Sequence, residues 1–167
     1  MGFVMVVDAL AAPLLRVELF QGLKSVQLTA ISRAAERMVY RAGDTITRAG
    51  DDADAAILIV SGSAEWLDQA SEGIEIGSLI GEMAMFVEHT YGATVVAKSQ
   101  VRCLKLPRES MQTLLLQDAA LAEHVTGRIA ARLARVAEEL RAIDEAIGSN
   151  LPQRHSTNPS HHQGVTH

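Results

Sequence analysis

The chain has 167 residues, a formal net charge of −5 and only 4% aromatic residues. This length accommodates one domain with a full hydrophobic core. The acidic balance argues against a surface that binds nucleic-acid phosphates, and the scarcity of aromatic residues argues against a platform for stacking bases. The single cysteine, Cys103, cannot form an internal disulfide or build a zinc site alone, which favours a reducing, cytoplasmic setting.

The N-terminal segment, residues 1–35, is predicted to be helical over 9–35 and to pack on the domain that follows. Its leucines recur at helical spacing, the helix breaks near Gly22, and Ser25 is a candidate N-cap for the second part. Residues 1–15 are apolar like a short signal sequence but have no basic start. Since no apolar run reaches the roughly 20 residues of a membrane span, we expect no association with a membrane.

Residues 36–107 change to the short period of β-strands. Turns rich in glycine and aspartate separate brief alternating runs, and 55–60 is an apolar run typical of a buried strand. A helix-favouring run at 82–87 interrupts this pattern, and two more strands follow near 92–98 and 100–106. Several short strands spaced by such turns predict a β-sandwich or β-barrel.

Residues 108–147 return to a helical period, with a short helix over about 108–116 and a long helix after a break near Asp118. Apolar residues three and four apart form a heptad seam along the long helix. The seam consists of Leu133, Val136, Leu140, Ile143 and Ile147. It predicts a homodimer in which two copies of the helix form a coiled coil. Alternatively, the apolar stripe packs back on the strands of its own chain.

From Gly148 onward the composition changes to Ser, Asn, Pro, Gln and His, with almost nothing to bury. We therefore predict that residues 148–167 are disordered. Four of the six histidines lie in this tail, at His155, His161, His162 and His167. A metal-binding tail is the alternative to a simple flexible extension, which is either native or added to the chain.

The sharpest functional signal is the sequence LIGEMAMF at residues 79–86. It resembles the start of the phosphate-binding cassette of cyclic nucleotide-binding domains. The glycine turns within 41–51, the strand and turn at 57–62 and the strand at 93–97 are similar to the same family in order and spacing. The resemblance implies an α+β fold: an antiparallel β-roll of the jelly-roll type, a cupin-like double-stranded β-helix, flanked by N-terminal helices and a long C-terminal helix.

The resemblance also implies a ligand site for cAMP or cGMP within residues 79–97. The candidate residues are Gly81, Glu82, Met83, Ala84, Tyr91, Gly92, Ala93 and Thr94. In the family, the residue that matches Glu82 accepts hydrogen bonds from a ribose hydroxyl, and the amide that matches Ala84 meets the phosphate. A short helix beginning near Gly81 suits an anion, because its free N–H groups form the positive end of a dipole. The alternative for Glu82 is a carboxylate that only complements this dipole.

Two features depart from the family pattern. Family members usually place an arginine, which pairs with the cyclic phosphate, where this chain has Tyr91, and often a hydroxyl residue where it has Gly92. The Pro-Gly-Asp turn common before the Gly-Glu motif is also missing, so we expect an abbreviated strand or loop there. The sequence therefore predicts that binding of cAMP and cGMP is weak, altered or lost.

The predicted activity is regulatory rather than catalytic. Outside the tail the only histidines are His89 and His124, and no nucleophile triad or phosphate-loop pattern is present, so we expect no metal site and no required cofactor. Residues after Gly148 cannot form a helix-turn-helix domain, so we expect no direct DNA binding. Two hypotheses stay open: a sensor of a cyclic nucleotide or related phosphate, and a ligand-independent module that acts on a protein partner.

Overall fold

The computed structural model describes residues 11–68 and 73–150. The α-helices are α1 (Ser25–Ala34), α2 (Arg108–Gln117) and α3 (Ala119–Asn150), and 3₁₀ helices cover Ala12–Arg16, Glu18–Phe20 and Glu82–Met85. The strands are β1 (Glu36–Tyr40), β2 (Thr45–Thr47), β3 (Asp52–Ala53), β4 (Ala55–Ser61), β5 (Ala64–Trp66), β6 (Gly73–Ile74), β7 (Leu79–Ile80), β8 (His89–Thr90), β9 (Val95–Ala97) and β10 (Val101–Pro107). None of these helices is both long and apolar enough to cross a membrane.

The strands form an antiparallel roll. One four-stranded sheet has the order β1-β10-β4-β7, the other has the order β2-β9-β5-β6, and β3 pairs with β8 in a separate ribbon. All pairings are antiparallel. Strands β6 and β7 cover two described residues each, and the abbreviated strand or loop before residue 81 stays a prediction. The predicted α+β class and antiparallel roll are confirmed.

Strand β4 separates two core clusters, because successive side chains of a strand point to opposite faces. Ala56 and Leu58 pack in a cluster with apolar residues of the helices, such as Phe20. Ile57 and Ile59 pack in the cluster inside the roll. Both faces of β4 are therefore covered, which explains why its sequence is a continuous apolar run rather than an alternating one.

The N-terminal segment is less helical than the predicted helix over 9–35. Two short 3₁₀ helices come first, and the buried residues Ala11, Leu14 and Val17 lie three apart. That spacing matches the three residues per turn of a 3₁₀ helix, which keeps all of them on the core side. The sequence pattern indicated the burial of Leu14, Val17 and Leu19, but Leu15 is exposed and the type of helix differs. Residues 1–10 lie outside the described ranges.

The predicted N-cap of α1 is wrong by one residue. Lys24 is the N-cap, with extended backbone, and Ser25 is the first helical residue. The Lys24 N–H donates a 3.0 Å hydrogen bond to Oε1 of Gln27. The amide side chain of Gln27 therefore satisfies the backbone at the helix start, and a serine hydroxyl is not needed there.

By its internal contacts the chain divides into two units, residues 1–129 and 130–167. In the second unit the helix α3 continues to Asn150, past the predicted end at 147. Asn150 Nδ2 donates a 2.9 Å hydrogen bond to the Ala146 carbonyl, and Ser149 Oγ donates one of 3.1 Å to the same oxygen. These bonds satisfy a carbonyl of the last turn. The predicted disorder is therefore wrong for 148–150, while 151–167, including the tail histidines, lie outside the described residues.

Candidate ligand site

The candidate site begins where β7 ends and the chain turns into the 3₁₀ helix Glu82–Met85, which we call the cassette helix. Gly81 precedes it with φ 66° and ψ 39°, a left-handed conformation that glycine adopts without strain. Ala84 and Met85 are fully buried, whereas Met83 is exposed. The buried pair anchors the turn to the roll, and the helix is one short turn rather than the longer run at 82–87 that the sequence favours.

The amide that the resemblance assigns to a phosphate has an internal partner. The Ala84 N–H donates a 2.9 Å hydrogen bond to the Gly81 carbonyl, which closes the turn. Glu82 is the first residue of the cassette helix, where a carboxylate is favoured by the dipole. In this conformation the cassette therefore does not present the Ala84 amide to an anion.

Tyr91 lies directly against Gly81. A Cβ built on Gly81 would be 2.9 Å from Cε1 and 3.2 Å from Cδ1 of Tyr91. The Tyr91 hydroxyl donates a 2.9 Å hydrogen bond to the carbonyl of Ala55, at the start of β4. The phenol of Tyr91, which follows β8, thus extends past Gly81 to the start of β4.

The Ala55 carbonyl lies beyond the end of the β4–β7 ladder. On β4, only Ile57 and Leu58 pair with β7, because the chain turns away at Gly81. Ala55 is fully buried, and its oxygen is 3.7 Å from a Cβ built on Gly81. A buried carbonyl needs a donor, and the Tyr91 hydroxyl supplies it where β7 no longer does.

The phenol of Tyr91 is neutral at physiological pH. Burial, together with smaller contributions from the charges of Asp54 and Tyr40, raises the pKa of Tyr91 to about 12 from its ordinary 10.0. The hydroxyl therefore keeps the proton that it donates to Ala55. Tyr91 offers no positive charge to a phosphate at the position where the resemblance implies an arginine.

The backbone of Tyr91 is held by the turn that joins β2 to β3. The Gly50 N–H donates a 2.9 Å hydrogen bond to the Tyr91 carbonyl, and the Tyr91 N–H donates one of 3.0 Å to the Asp51 carbonyl. With the hydroxyl bound to Ala55, Tyr91 is fixed at both ends. Its position is a property of the fold and does not depend on a side-chain contact alone.

The remaining candidate residues contact the same turn rather than the cassette helix. Thr47 Oγ1 donates a 3.0 Å hydrogen bond to the Ala93 carbonyl, and the Ala49 N–H donates one of 3.0 Å to Thr94 Oγ1. Gly92 is exposed, with nothing within 4 Å of a built Cβ. The structure therefore brings Gly81 and Tyr91 together, while Ala93 and Thr94 are used to hold the β2–β3 turn.

Sequence reasoning missed Ala55 and Thr47. Ala55 contributes only a backbone carbonyl, which every residue has, so no sequence signal marks it. The hydroxyl of Thr47 is a common feature of strands. Both acquire a role only because the roll brings residues about 40 positions apart into contact.

A surface cavity of about 620 Å³ lies beside the ribbon of β3 and β8. Its lining includes Asp52, Asp54 and Glu88, so carboxylates dominate it. Arg108 also lines it, but its guanidinium donates to the carbonyls of Ala53 and Val87 at 3.1 and 2.9 Å. This cavity does not suit a phosphate. Among the described residues, no group of three or more His, Cys, Asp or Glu side chains is arranged to hold a metal ion.

The antiparallel roll, the cassette helix and the C-terminal helix define an α+β domain of the β-roll class. Residues 37–118 match the family model of the cyclic nucleotide-binding domain. The match places residues 37–118 in the cyclic nucleotide-binding domain family, and the resemblance seen in the sequence is confirmed.

The similar proteins include a protein kinase regulatory subunit and a catabolite activator protein. The cAMP-dependent protein kinase regulatory subunit of Aspergillus niger is 34% identical over 103 residues, which cover 59% of this chain and 25% of that protein. The chain thus spans about a quarter of that relative's length. A cyclic nucleotide-binding-like protein from Brucella abortus has 29% identity and a TM-score of 0.58, covering 65% of this chain and 98% of that chain. The catabolite activator protein of Thermus thermophilus has 26% identity and a TM-score of 0.59, and the match covers 75% of this chain and 62% of that chain.

Proposed function

We propose that this chain is a non-catalytic, regulatory sensor domain whose cassette binds cAMP and cGMP weakly or not at all. One observation carries the proposal: Tyr91 stands where the resemblance expects an arginine, and its neutral phenol is bound to Ala55. A cyclic phosphate entering the cassette would meet the positive end of a four-residue helix but no cationic side chain from this position.

The magnitude of the missing interaction supports weak binding. A charge-assisted hydrogen bond contributes about 1.5–3 kcal/mol, which corresponds to roughly tenfold to more than a hundredfold in affinity. The cassette helix does not replace it, because the Ala84 N–H is used within the turn. We therefore expect that the domain does not respond to the cyclic nucleotide concentrations that saturate a complete cassette.

A second candidate function, true sensing of a cyclic nucleotide, is favoured by one basic residue. Arg48 lies on the turn that holds Tyr91, and its side chain is 66% exposed. Its Nε is 4.0 Å from Oδ2 of Asp51, a loose and exposed ion pair that contributes little. Arg48 is therefore available to turn toward a phosphate if one binds.

Calorimetric titration of the purified full chain with cAMP and with cGMP tests the proposal. We expect no saturable heat at micromolar nucleotide, and we expect Tyr91→Arg to gain about tenfold or more in affinity because it adds the missing charge. A micromolar or tighter dissociation constant for the unaltered chain would contradict the proposal. Loss of that binding in Arg48→Ala would then support true sensing through Arg48.

The proposal includes a second copy of the chain as a partner. Leu133, Val136, Leu140, Ile143 and Ile147 are all exposed, by 44–65% of their surface. An exposed apolar stripe of this length on one helix face is uncommon in a monomer. Spacing of three and four is typical of a two-stranded coiled coil, which would cover the whole stripe. A protein partner then receives the output, since neither catalysis nor DNA binding is proposed.

A further inference from the structure

The first observation concerns the space in front of Gly81. A glycine with a left-handed backbone, lacking Cβ, lets another group approach the chain closely. Here the group that approaches is the ring of Tyr91, whose Cε1 would be 2.9 Å from a Cβ at this position. Real Cβ atoms are not found that close to another heavy atom. The ring therefore occupies the open surface of Gly81, which is one of the candidate ligand-binding residues.

The second observation concerns how firmly the ring is held. Two backbone hydrogen bonds fix Tyr91 to the β2–β3 turn at Gly50 and Asp51. A third, from the hydroxyl, fixes it to the buried carbonyl of Ala55. Moving the phenol aside breaks the third bond and leaves a buried acceptor without a donor, which opposes the movement.

The geometry points to Tyr91 as a plug that closes the cassette by occupying the surface of Gly81, so that a nucleotide must displace the phenol from Ala55 to bind. This inference rests on the proposed function and deepens it. Tyr91 excludes the ligand by its volume and its hydrogen bond, as well as by lacking the charge of an arginine.

The plug and the missing charge make different predictions for a small uncharged residue at position 91. If only the charge matters, Tyr91→Ala adds nothing and binds no better than the unaltered chain. If the ring is a plug, Tyr91→Ala opens the surface of Gly81 and gains affinity without adding any positive charge. Tyr91→Phe keeps the ring but removes the bond to Ala55, so it isolates the contribution of that bond.

The experiment is an NMR titration with cAMP, which detects binding far weaker than calorimetry does. The full chain, Tyr91→Ala, Tyr91→Phe and the matched control Tyr40→Phe are compared. We expect Tyr91→Ala to bind about tenfold or more tightly than the unaltered chain. We expect Tyr91→Phe to gain about fivefold, the equivalent of one net hydrogen bond. Tyr40→Phe removes the hydroxyl of the other tyrosine, which is not the hydroxyl bonded to Ala55, and should bind as the unaltered chain does.

Each outcome decides the inference separately from the proposed function. If neither Tyr91→Ala nor Tyr91→Phe gains affinity, or if no variant binds, the plug is refuted while the proposed weak binding stands. If Tyr40→Phe gains as much as Tyr91→Phe, general loosening of the roll is responsible and the plug is also refuted. If the unaltered chain binds at micromolar cAMP and Tyr91→Ala binds more tightly still, the plug holds and the proposed function fails. If Tyr91→Ala does not fold, Tyr91→Phe, which keeps the ring volume, decides alone.

Discussion

At the scale of single residues, Tyr91 combines a structural role with the control of the cassette that we propose for it. Its hydroxyl satisfies the buried carbonyl of Ala55, which lies beyond the last pair of the β4–β7 ladder. Its ring covers Gly81. If Tyr91 is the plug that we propose, the hydrogen bond that stabilises the fold also keeps the cassette closed.

The structural role of Tyr91 predicts a loss of stability in Tyr91→Phe. Removing the hydroxyl leaves the Ala55 carbonyl without its donor, and we expect the free energy of unfolding to fall by about 1 kcal/mol. Urea denaturation of the two proteins measures the difference. Tyr40→Phe, which does not touch Ala55, serves as the control, and a Tyr91→Phe protein as stable as the unaltered chain would show that the bond contributes nothing.

The stability difference between the unaltered chain and Tyr91→Phe should depend on pH in the alkaline range. The pKa of Tyr91 is raised to about 12 in the folded chain from an ordinary 10.0, so folding favours the protonated phenol. This contribution is fully present below pH 10 and is lost as the pH rises through 12. The stability difference between the unaltered chain and Tyr91→Phe should therefore be constant near neutral pH and shrink only in that alkaline range.

At the scale of elements, glycine turns set how closely the strands approach one another. Gly62 ends β4 with φ 91°, and a Cβ there would overlap the Gln100 carbonyl oxygen and lie 2.9 Å from the Val101 Cα. Gly43, before β2, has φ 90° but nothing within 4 Å of a built Cβ. The two glycines share a left-handed backbone and differ only in the space around them.

This contrast predicts different costs for alanine at the two positions. Gly43→Ala should lose about 1 kcal/mol of stability, from the left-handed backbone alone. Gly62→Ala should lose roughly 3 kcal/mol or more, because overpacking against the backbone adds to that strain. Denaturation midpoints compare them. Equal losses would mean that β10 moves away from the turn without difficulty.

At the scale of the whole molecule, the seam of α3 predicts the oligomeric state. Leu133→Glu with Leu140→Glu places two charges in the apolar stripe, so we expect this variant to be monomeric and the unaltered chain to be the proposed dimer. Light scattering coupled to size-exclusion chromatography measures the mass. Ala131→Glu with Ala142→Glu adds the same charge at exposed positions off the stripe and should leave the dimer intact.

Two results would contradict the seam. A dimer that persists in the Leu133 and Leu140 variant would place the interface elsewhere. Dissociation of the Ala131 and Ala142 variant to the same extent would attribute the effect to charge on α3 in general.

The strands and long helices could be predicted from the sequence because their signals are local. The apolar run at 55–60, the break near Asp118 and the heptad spacing after it all lie within single elements. The 3₁₀ helices at the N-terminus and the cap at Lys24 could not be predicted in this way. For the 3₁₀ helices, tertiary burial of Leu14 and Val17 selected the helix type. Local apolar spacing of three and of four is too similar over one or two turns to distinguish them.

The sequence by itself determined the antiparallel roll, the family and the presence of Tyr91 where an arginine is expected. Turn residues, strand periods and the order of motifs are local features that can be identified in the sequence. Only the tertiary structure decided where the phenol of Tyr91 goes. Its partners, the Gly81 surface and the Ala55 carbonyl, are backbone groups, so the side chains at these positions do not indicate the contact in the sequence. They meet Tyr91 because β4, β7 and the cassette converge in space, and such convergence depends on the packing of the whole roll rather than on any local pattern.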